Sequence, residues 1–508
     1  MHSLALCLFA CLTVGCTTLP SLEDRPGSTA DLDTAATLLG RANAPRVIAH
    51  PGMSGFHTLP DGRDAFAARV LLAQAAERTL DVQYYIWGKD MTGTLLFAAL
   101  RQAGDRGVRV RLLLDDNNTS GLDATLTALD AHPNIEVRLF NPFVVRGVRA
   151  LGYLTDFARA NRRMHNKSFT ADSQVTIIGG RNVGDAYFGA ADDMLFTDLD
   201  VMAIGPVVDE VSKNFDRYWS SNSSYPVERL LGKVAPVALE ELSRAALEIE
   251  HSPRAVAYTG ALRASTFVAD LVKGSLDLEW APARMISDDP AKGLGQAGEG
   301  DLLFDKIEQT MGEPVADLNM VSPYFVPTDA GVRAFSALAD RGVKVRVLTN
   351  ALEATDVAAV HAGYAKHREA MLEAGVSLFE LRRRTPVART RKLLGNGSST
   401  SSLHSKTFSV DRRHVFIGSF NFDQRSARLN TEMGFVIDSA VLADRIATAF
   451  DQRIPAEAYE VRLSPQHRLY WLEQRGKSVV RHDVEPGTSV GQRIGVAFLS
   501  LLPIEWLL

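Results

Sequence analysis

Two short stretches of this chain carry the residue types that phosphodiester chemistry needs. His165-Asn166-Lys167 and His404-Ser405-Lys406 each place an imidazole and an ammonium two positions apart. Side chains alternate along a β-strand, so both groups of a pair share one face, which Phe169 and Phe408 continue. Asp172 and Asp411 follow, each in a turn before an apolar strand, VTIIGG or VFIGS. An Asp there most simply accepts backbone N–H bonds and fixes the hairpin. The strands run out at Gly179-Gly180-Arg181-Asn182 and Gly418-Ser419-Phe420-Asn421, where small residues admit a ligand and Asn182 and Asn421 offer amide donors. Farther on, DLDVMAI and NTEMGFVI bring Asp200 and Glu432. Each carboxylate is expected to bond the far ring nitrogen of the histidine in its own half, fixing the tautomer and stabilising an imidazolium.

If the two sets face each other, one pocket holds two imidazoles, two ammonium groups and two amides. One histidine can attack phosphorus while the other protonates the leaving alcohol and then deprotonates the incoming one. An unperturbed pKa of about 6.5 suits either task. Lysines and asparagines can hold the equatorial oxygens, so this chemistry needs neither metal nor cofactor. A lone His-x-Lys would mean little. Two of twelve histidines sharing one polar constellation in register argue for a site.

The register is that of an internal duplication. RRMHNKSFTADSQVTIIGGRN (162–182) aligns with SSLHSKTFSVDRRHVFIGSFN (401–421), at an offset of 239 for the His, Lys, Asp and Asn alike. Upstream, LDVQYYIWGKDMTGTLLFAALRQAGDRGVRVRLLLDDNN (80–118) is repeated in LNMVSPYFVPTDAGVRAFSALADRGVKVRVLTN (318–350). Each reads as a strand, a helix with apolar residues at three-to-four spacing, an Arg-Gly stop and a Val-rich strand. That is a βαβ unit, so each half should hold a mostly parallel, buried sheet.

These residues resemble the paired HKD motifs of the phospholipase D superfamily, and LDVQYYIW, DLDVMAIGPVV, FIGSFNFDQRS and LNTEMGFVI are most similar to its C-type bacterial cardiolipin synthases. The resemblance implies an α/β fold of two pseudo-twofold-related α/β/α domains that form one active site at their interface. It implies phosphatidyl transfer between two phospholipids, phosphatidylglycerol with phosphatidylethanolamine or a second phosphatidylglycerol, through a phosphohistidine. His165 would be the nucleophile and His404 the acid and base, with Lys167, Asp172, Lys406 and Asp411 completing the catalytic set. Asn182, Asn421, Asp200 and Glu432 would contact substrate. His361 and Tyr364, near one helical turn apart in VHAGYAK, are candidate pocket residues in the second half.

The rest of the chain bounds the setting. With 508 residues, 46% hydrophobic and 23% charged, it is a folded protein of more than one domain. A net charge of −5 and a pI near 6.2 give no pull toward nucleic acid, which counts against a nuclease. Cys7, Cys11 and Cys16 are the only cysteines, so the body has no disulfide. Residues 1–16 read as a signal peptide of lipoprotein type with Cys16 as the lipidated residue, and residues 17–45 as a flexible tether. The expected domains are then 46–230 and 301–460, joined by a connecting segment 231–300, with a C-terminal extension 461–508 that could touch a membrane. Arg382, Arg383, Arg384, Arg389, Arg391 and Lys392 form a basic loop suited to anionic headgroups, or simply a solvated charge run. Residues 141–154 could lie in a membrane interface or pack as a core loop. Asp115 and Asp116, at the end of a strand, are expected to fix a loop. The expected place is the cell envelope, at the inner membrane. Hydrolysis by the same site, or lipid binding without catalysis, are the competing functions, and an accessory protein is left open.

Overall fold

The structure, a computed structural model, describes residues 18–191, 194–232, 237–383 and 400–508. The signal peptide, Cys16, and Arg384, Arg389, Arg391 and Lys392 of the basic loop lie outside them. In the first half run β1 (Ser54–Leu59), β2 (Thr79–Ile86), β3 (Arg109–Asn118), β4 (Ile135–Phe140), β5 (Ser168–Ala171), β6 (Val175–Gly179), β7 (Met194–Thr197), β8 (Asp200–Ile204), β9 (Ser224–Pro226) and β10 (Glu279–Ala281). The second holds β11 (Ala283–Ser287), β12 (Asp317–Val321), β13 (Lys344–Asn350), β14 (Ser377–Leu381), β15 (Thr400–Leu403), β16 (Thr407–Val410), β17 (His414–Gly418), β18 (Met433–Asp438), β19 (Ala458–Leu463), β20 (Leu469–Arg475) and β21 (Ser478–His482).

One sheet has the order β10-β1-β8-β6-β5-β2-β3-β4-β9 and the other β11-β18-β17-β16-β12-β13-β14-β19-β20-β21. From β1 and from β11 onward the two orders correspond strand for strand, as the duplication requires. The sheets are mixed rather than mostly parallel. Within these two sheets only β2-β3-β4 and β12-β13-β14 run parallel, because among neighbouring strands only these are joined directly through helices. The remaining pairs are antiparallel, and β5–β6 and β16–β17 are tight hairpins. Both hairpins turn through consecutive residues at positive φ, Asp172-Ser173 and Asp411-Arg412. The Arg-Gly stops behave as their sequence predicts, with Gly107 at φ 92° and Gly342 at φ 86° ending the helices Met91–Asp105 and Thr328–Asp340.

In the first half, helices Gly62–Ala75 and Met91–Asp105 cover one sheet face and helix Val207–Trp219 the other. Under the latter, Asp81 and Arg111 make a fully buried ion pair of 2.7 Å, and the guanidinium lies 4.8 Å from the Phe215 ring. The halves meet through a separate core in which Phe56, Val201 and Ala203 pack on Val415, Ile417, Phe435 and Ile437. Such a dry contact between inner strands, not a linker, fixes their relation.

The outer segments depart from expectation. Residues 18–45 are laid on the first half rather than tethering it. Arg25 donates to the carbonyls of Ser221 at 2.7 Å and Ser224 at 2.6 Å, Ala30 N–H to the Asp216 carboxylate at 2.9 Å, and buried Thr34 to the carbonyl of Asp172. Residues 231–300 divide at Pro282: Ala281 pairs with Ser54 in the first sheet and Ala283 with Ile437 in the second. The C-terminal extension is part of the second sheet through β20 and β21. Helix Val490–Ser500 then packs on helix Ala358–Glu373. No helix among the described residues is long and apolar enough to cross a membrane.

Candidate active site

Each histidine sits just before a central strand, and the segment leading to it crosses to the other half. Met164 bridges Thr431, and His165 N–H donates to Thr431 O at 2.8 Å. On the other side β15 pairs in parallel with β7, and His404 N–H donates to Thr197 O at 2.8 Å. The two motifs are thus pinned by main-chain bonds to the half that does not contain them. With each motif bonded across to the other half, both sets meet at the interface between the halves.

This crossing decides the carboxylate partners. His165 Nδ1 lies 2.8 and 3.0 Å from the Glu432 oxygens, and His404 Nδ1 lies 2.6 Å from Asp198 Oδ2. Each carboxylate therefore serves the histidine of the opposite half, not its own. The first-half carboxylate is also Asp198, not Asp200. Gly179 pairs with Asp200 and Gly418 with Gly434, so Asp200 corresponds to Gly434 and Asp198 to Glu432. Asp200 instead holds Arg69 at 2.7 Å and the Arg181 N–H at 3.1 Å, a buried structural cluster. The register of the DLD triplet against its hairpin is the signal that identifies Asp198. Gly180 makes room for it, since a Cβ there would lie 2.1 Å from Asp198 Oδ1. Ser419 takes that place in the second half and donates to Glu432 at 2.5 Å, with Ser426 adding a bond of 2.9 Å.

With a carboxylate accepting the Nδ1 proton, Nε2 is the ring nitrogen left for the reaction: unprotonated it can attack or take a proton, and protonated it can give one. Burial, aided by Lys167 and Lys406, holds His165 well below its ordinary pKa. His404 is lowered too, by burial and Lys406, against the opposing pull of Asp198. Burial pushes Lys167 down to about 7 and Lys406 to about 8, poised to be held as ammonium by a bound phosphate. Lys167 Nζ donates to the carbonyl of His165 at 2.6 Å, and Lys406 bonds that of His404. Tyrosines flank the rings edge-on, Tyr85 at 5.0 Å from His165 and Tyr187 at 5.2 Å from His404. Neither tyrosine stands out in the sequence, because only the fold brings them beside the histidines.

The remaining candidates separate. Asp172 is buried and accepts from Glu77 N, Arg78 N and Thr79 N at 2.8–3.0 Å, and Asp411 accepts from Val315 N, Ala316 N and Asp317 N at 2.7–3.0 Å. Both tie the hairpin to the start of a neighbouring strand and hold the strand that follows His and Lys. Asn182 accepts from Ile86 N at 3.2 Å and donates to Tyr187 OH at 3.0 Å, beside His404. Asn421 keeps a buried Oδ1 with no partner among the described residues. His361 and Tyr364 do not line the pocket: His361 bonds Glu485 at 3.0 Å, and Tyr364 lies in the second core against Phe325. Helix Ala358–Glu373 turns that face inward to hold the C-terminal segment. Asp115 accepts from Met164 N at 2.7 Å and Asp116 from Phe143 N at 2.8 Å, so both fix loops.

Comparison with known proteins agrees with this geometry. A family model described as "Cardiolipin synthase, PLD-like domain" matches residues 70–219 and 307–454, one span in each half. The chain is 50% identical to cardiolipin synthase C of Escherichia coli K12 over 92% of its own length and 99% of that protein's. It is 24% identical to cardiolipin synthase A of Pseudomonas entomophila over 83% of this chain and 73% of the relative. Among solved structures, a phosphatidylserine synthase from Haemophilus influenzae covers 92% of this chain and all of its own at a TM-score of 0.57 and 14% identity, a likeness of fold. The duplicated sheet, the two histidine–carboxylate pairs and these matches together place the chain in the cardiolipin synthase family of phospholipase D-like enzymes.

Proposed function

We propose that the protein is a membrane-associated phosphatidyltransferase that makes cardiolipin from two phospholipids, phosphatidylglycerol with phosphatidylethanolamine or with a second phosphatidylglycerol. The observation that carries the mechanism is the pair of crossed histidine–carboxylate contacts, 2.8 Å at His165–Glu432 and 2.6 Å at His404–Asp198. His165 Nε2 attacks the phosphorus of the donor lipid. The bond from phosphorus to the headgroup oxygen breaks, and that oxygen takes a proton from His404 Nε2. A phosphatidyl group now sits on His165, and the small alcohol, glycerol or ethanolamine, leaves. The headgroup hydroxyl of phosphatidylglycerol then gives its proton to His404 and attacks phosphorus, releasing cardiolipin and free His165.

The electrostatics support this assignment of roles. His165 is held more firmly neutral, as a nucleophile must be. Asp198 stays ionised: burial raises it, but the bonded His404 and nearby Lys406 outweigh that and leave it low. An ionised partner favours a proton on His404, as the acid role requires. Lys167 and Lys406 stand ready to neutralise the non-bridging oxygens. The test is product analysis in vesicles of phosphatidylglycerol and phosphatidylethanolamine. Cardiolipin with release of one small alcohol per molecule is expected. Phosphatidic acid as the main product would assign the site to hydrolysis.

A further inference from the structure

We propose that the apolar surface formed by the helices Ala150–Thr155 and Phe157–Ala160 together with the helix Val490–Ser500 and Trp506 is where the protein seats on an anionic bilayer, on the side linked through Tyr153, Asn117 and Tyr85 to His165. This rests on the lipid-substrate reading above and names the face that meets the lipid.

Large apolar side chains stand in solvent on both parts. Leu154 and Leu501 are each 82% exposed, and Leu151, Ile494 and Phe498 are also exposed. On helix Val490–Ser500 the exposed positions Val490, Ile494, Phe498 and Leu501 fall on one face by their spacing. The opposite face is docked, with Val496 buried against Leu352 and Ala362, and the segment after the helix is held where Lys366 meets Glu505 at 2.7 Å. The helix is thus a fixed platform whose outer side has no protein cover among the described residues. The Phe157 and Trp506 rings meet edge-on at 6.3 Å, which joins the two parts into one surface. Exposed apolar area of this kind marks an interaction site rather than ordinary surface.

Its path leads to the reaction. Phe157 lies 6.4 Å from Tyr153, whose hydroxyl donates to Asn117 Oδ1 at 2.7 Å. Asn117 Nδ2 reaches Tyr85 OH at 3.3 Å, and Tyr85 stands against His165. This relay of contacts joins the surface to the side chain that packs on the nucleophile.

Charge selects the occupant. Arg162 and Arg428 flank the surface and make no ion pair among the described residues; Arg162 Nη1 donates to the carbonyl of Arg428 at 3.0 Å. The short helix carrying Arg428 abuts the C-terminal residues, where Arg425 N–H donates to Leu508 O at 2.6 Å. Apolar side chains edged by arginine, with a tryptophan at the boundary, match an anionic bilayer interface.

Trp506 gives a local readout that needs no turnover and is insensitive to how residues before 18 bind. Trp87, Trp219 and Trp471 are buried and Trp280 half-buried, so Trp506 is the exposed tryptophan. The full chain is bound to phosphatidylglycerol–phosphatidylcholine vesicles with brominated acyl chains and compared with Trp506→Phe. The expected result is quenching of a component present only in the wild type, together with its protection from aqueous iodide. Trp506 unquenched and open to iodide in bound protein would overturn the proposal. A second variant carries Leu154→Ser, Ile494→Ser, Phe498→Ser and Leu501→Ser. It should turn over a dispersed short-chain phosphatidylglycerol at the wild-type rate and vesicle lipid about tenfold more slowly. Equal rates on vesicles, or a wild-type dimer in solution that the variant abolishes, would also overturn it. A protein inactive on both lipids but with Trp506 quenched would sink the catalytic reading and leave this one standing.

Discussion

In one histidine pair the carboxylate is Glu432, pushed up to about 7 chiefly by burial; in the other it is Asp198, which remains below its ordinary range. The two sit at corresponding places after the duplicated hairpins, so position does not explain the difference. Their neighbours do. Both lie near cations, Glu432 near Lys167 and Lys292 and Asp198 near Lys406 and Arg181. But Glu432 also receives the hydroxyls of Ser419 at 2.5 Å and Ser426 at 2.9 Å, while Asp198 makes the shorter bond to its histidine, 2.6 Å to His404. A duplication that keeps residue types in register can therefore still divide labour between its copies. In the proposed mechanism this difference assigns the nucleophile to His165 and the acid to His404.

Breaking the pairs should show this inequality. The largest effect is expected from His165→Ala, a loss of about 10⁴-fold or more in kcat, since it removes the nitrogen that forms the bond to phosphorus. His404→Ala should cost about 10²–10⁴-fold with a natural lipid donor, and far less with a donor whose leaving group needs no proton. The carboxylates come next. Asp198→Asn should lower kcat by about 10³-fold, because it removes the charge that favours a proton on His404 and disturbs its tautomer. Glu432→Gln should cost about 10–100-fold, as expected for a group that orients a ring. Steady-state rates on mixed micelles decide the order, and a larger loss at Glu432 would reverse the assignment of roles.

The turn aspartates sharpen the comparison on stability. Asp172 is buried and Asp411 only half-buried, although each accepts three main-chain N–H groups. Asp172→Ala should destabilise by about 3 kcal/mol and Asp411→Ala by about 1 kcal/mol, because donors near solvent regain water. Chemical denaturation measures both, and equal losses would contradict the burial argument. The smallest effect is on pH. Lys167 at about 7 and Lys406 at about 8 lose their protons, and so their hold on phosphate, as pH rises. kcat/KM should thus fall through that window; a flat profile to pH 9 would show that the ammonium charges are not used.

The sequence makes the duplication and the structural role of Asp172 and Asp411 legible, because these follow from the repeat and from turn chemistry; the His-Lys pairs lie just before their strands rather than on a strand face. The βαβ units are legible from local periodicity. The sheets as wholes are not, since the antiparallel neighbours are chosen by tertiary pairing. Exchange of carboxylates between halves is invisible because it arises from strands that cross the interface, as β15 does to reach β7. Taking Asp200 for Asp198 is a two-residue error that preserves the strand face, so alternation alone cannot correct it. The burial of residues 18–45 depends on single contacts such as Arg25 to the Ser221 and Ser224 carbonyls, which composition does not reveal. His361 and Tyr364 have the right chemistry on a helix face that the fold turns inward.

The most direct test of the central claim is to trap the covalent intermediate in the His404→Asn variant with a phosphatidyl donor carrying an activated leaving group, then map the adduct by mass spectrometry. A phosphatidyl group on His165, absent when His165 is also replaced, is the predicted result. An adduct on another residue, or leaving-group release without any adduct, would contradict the account.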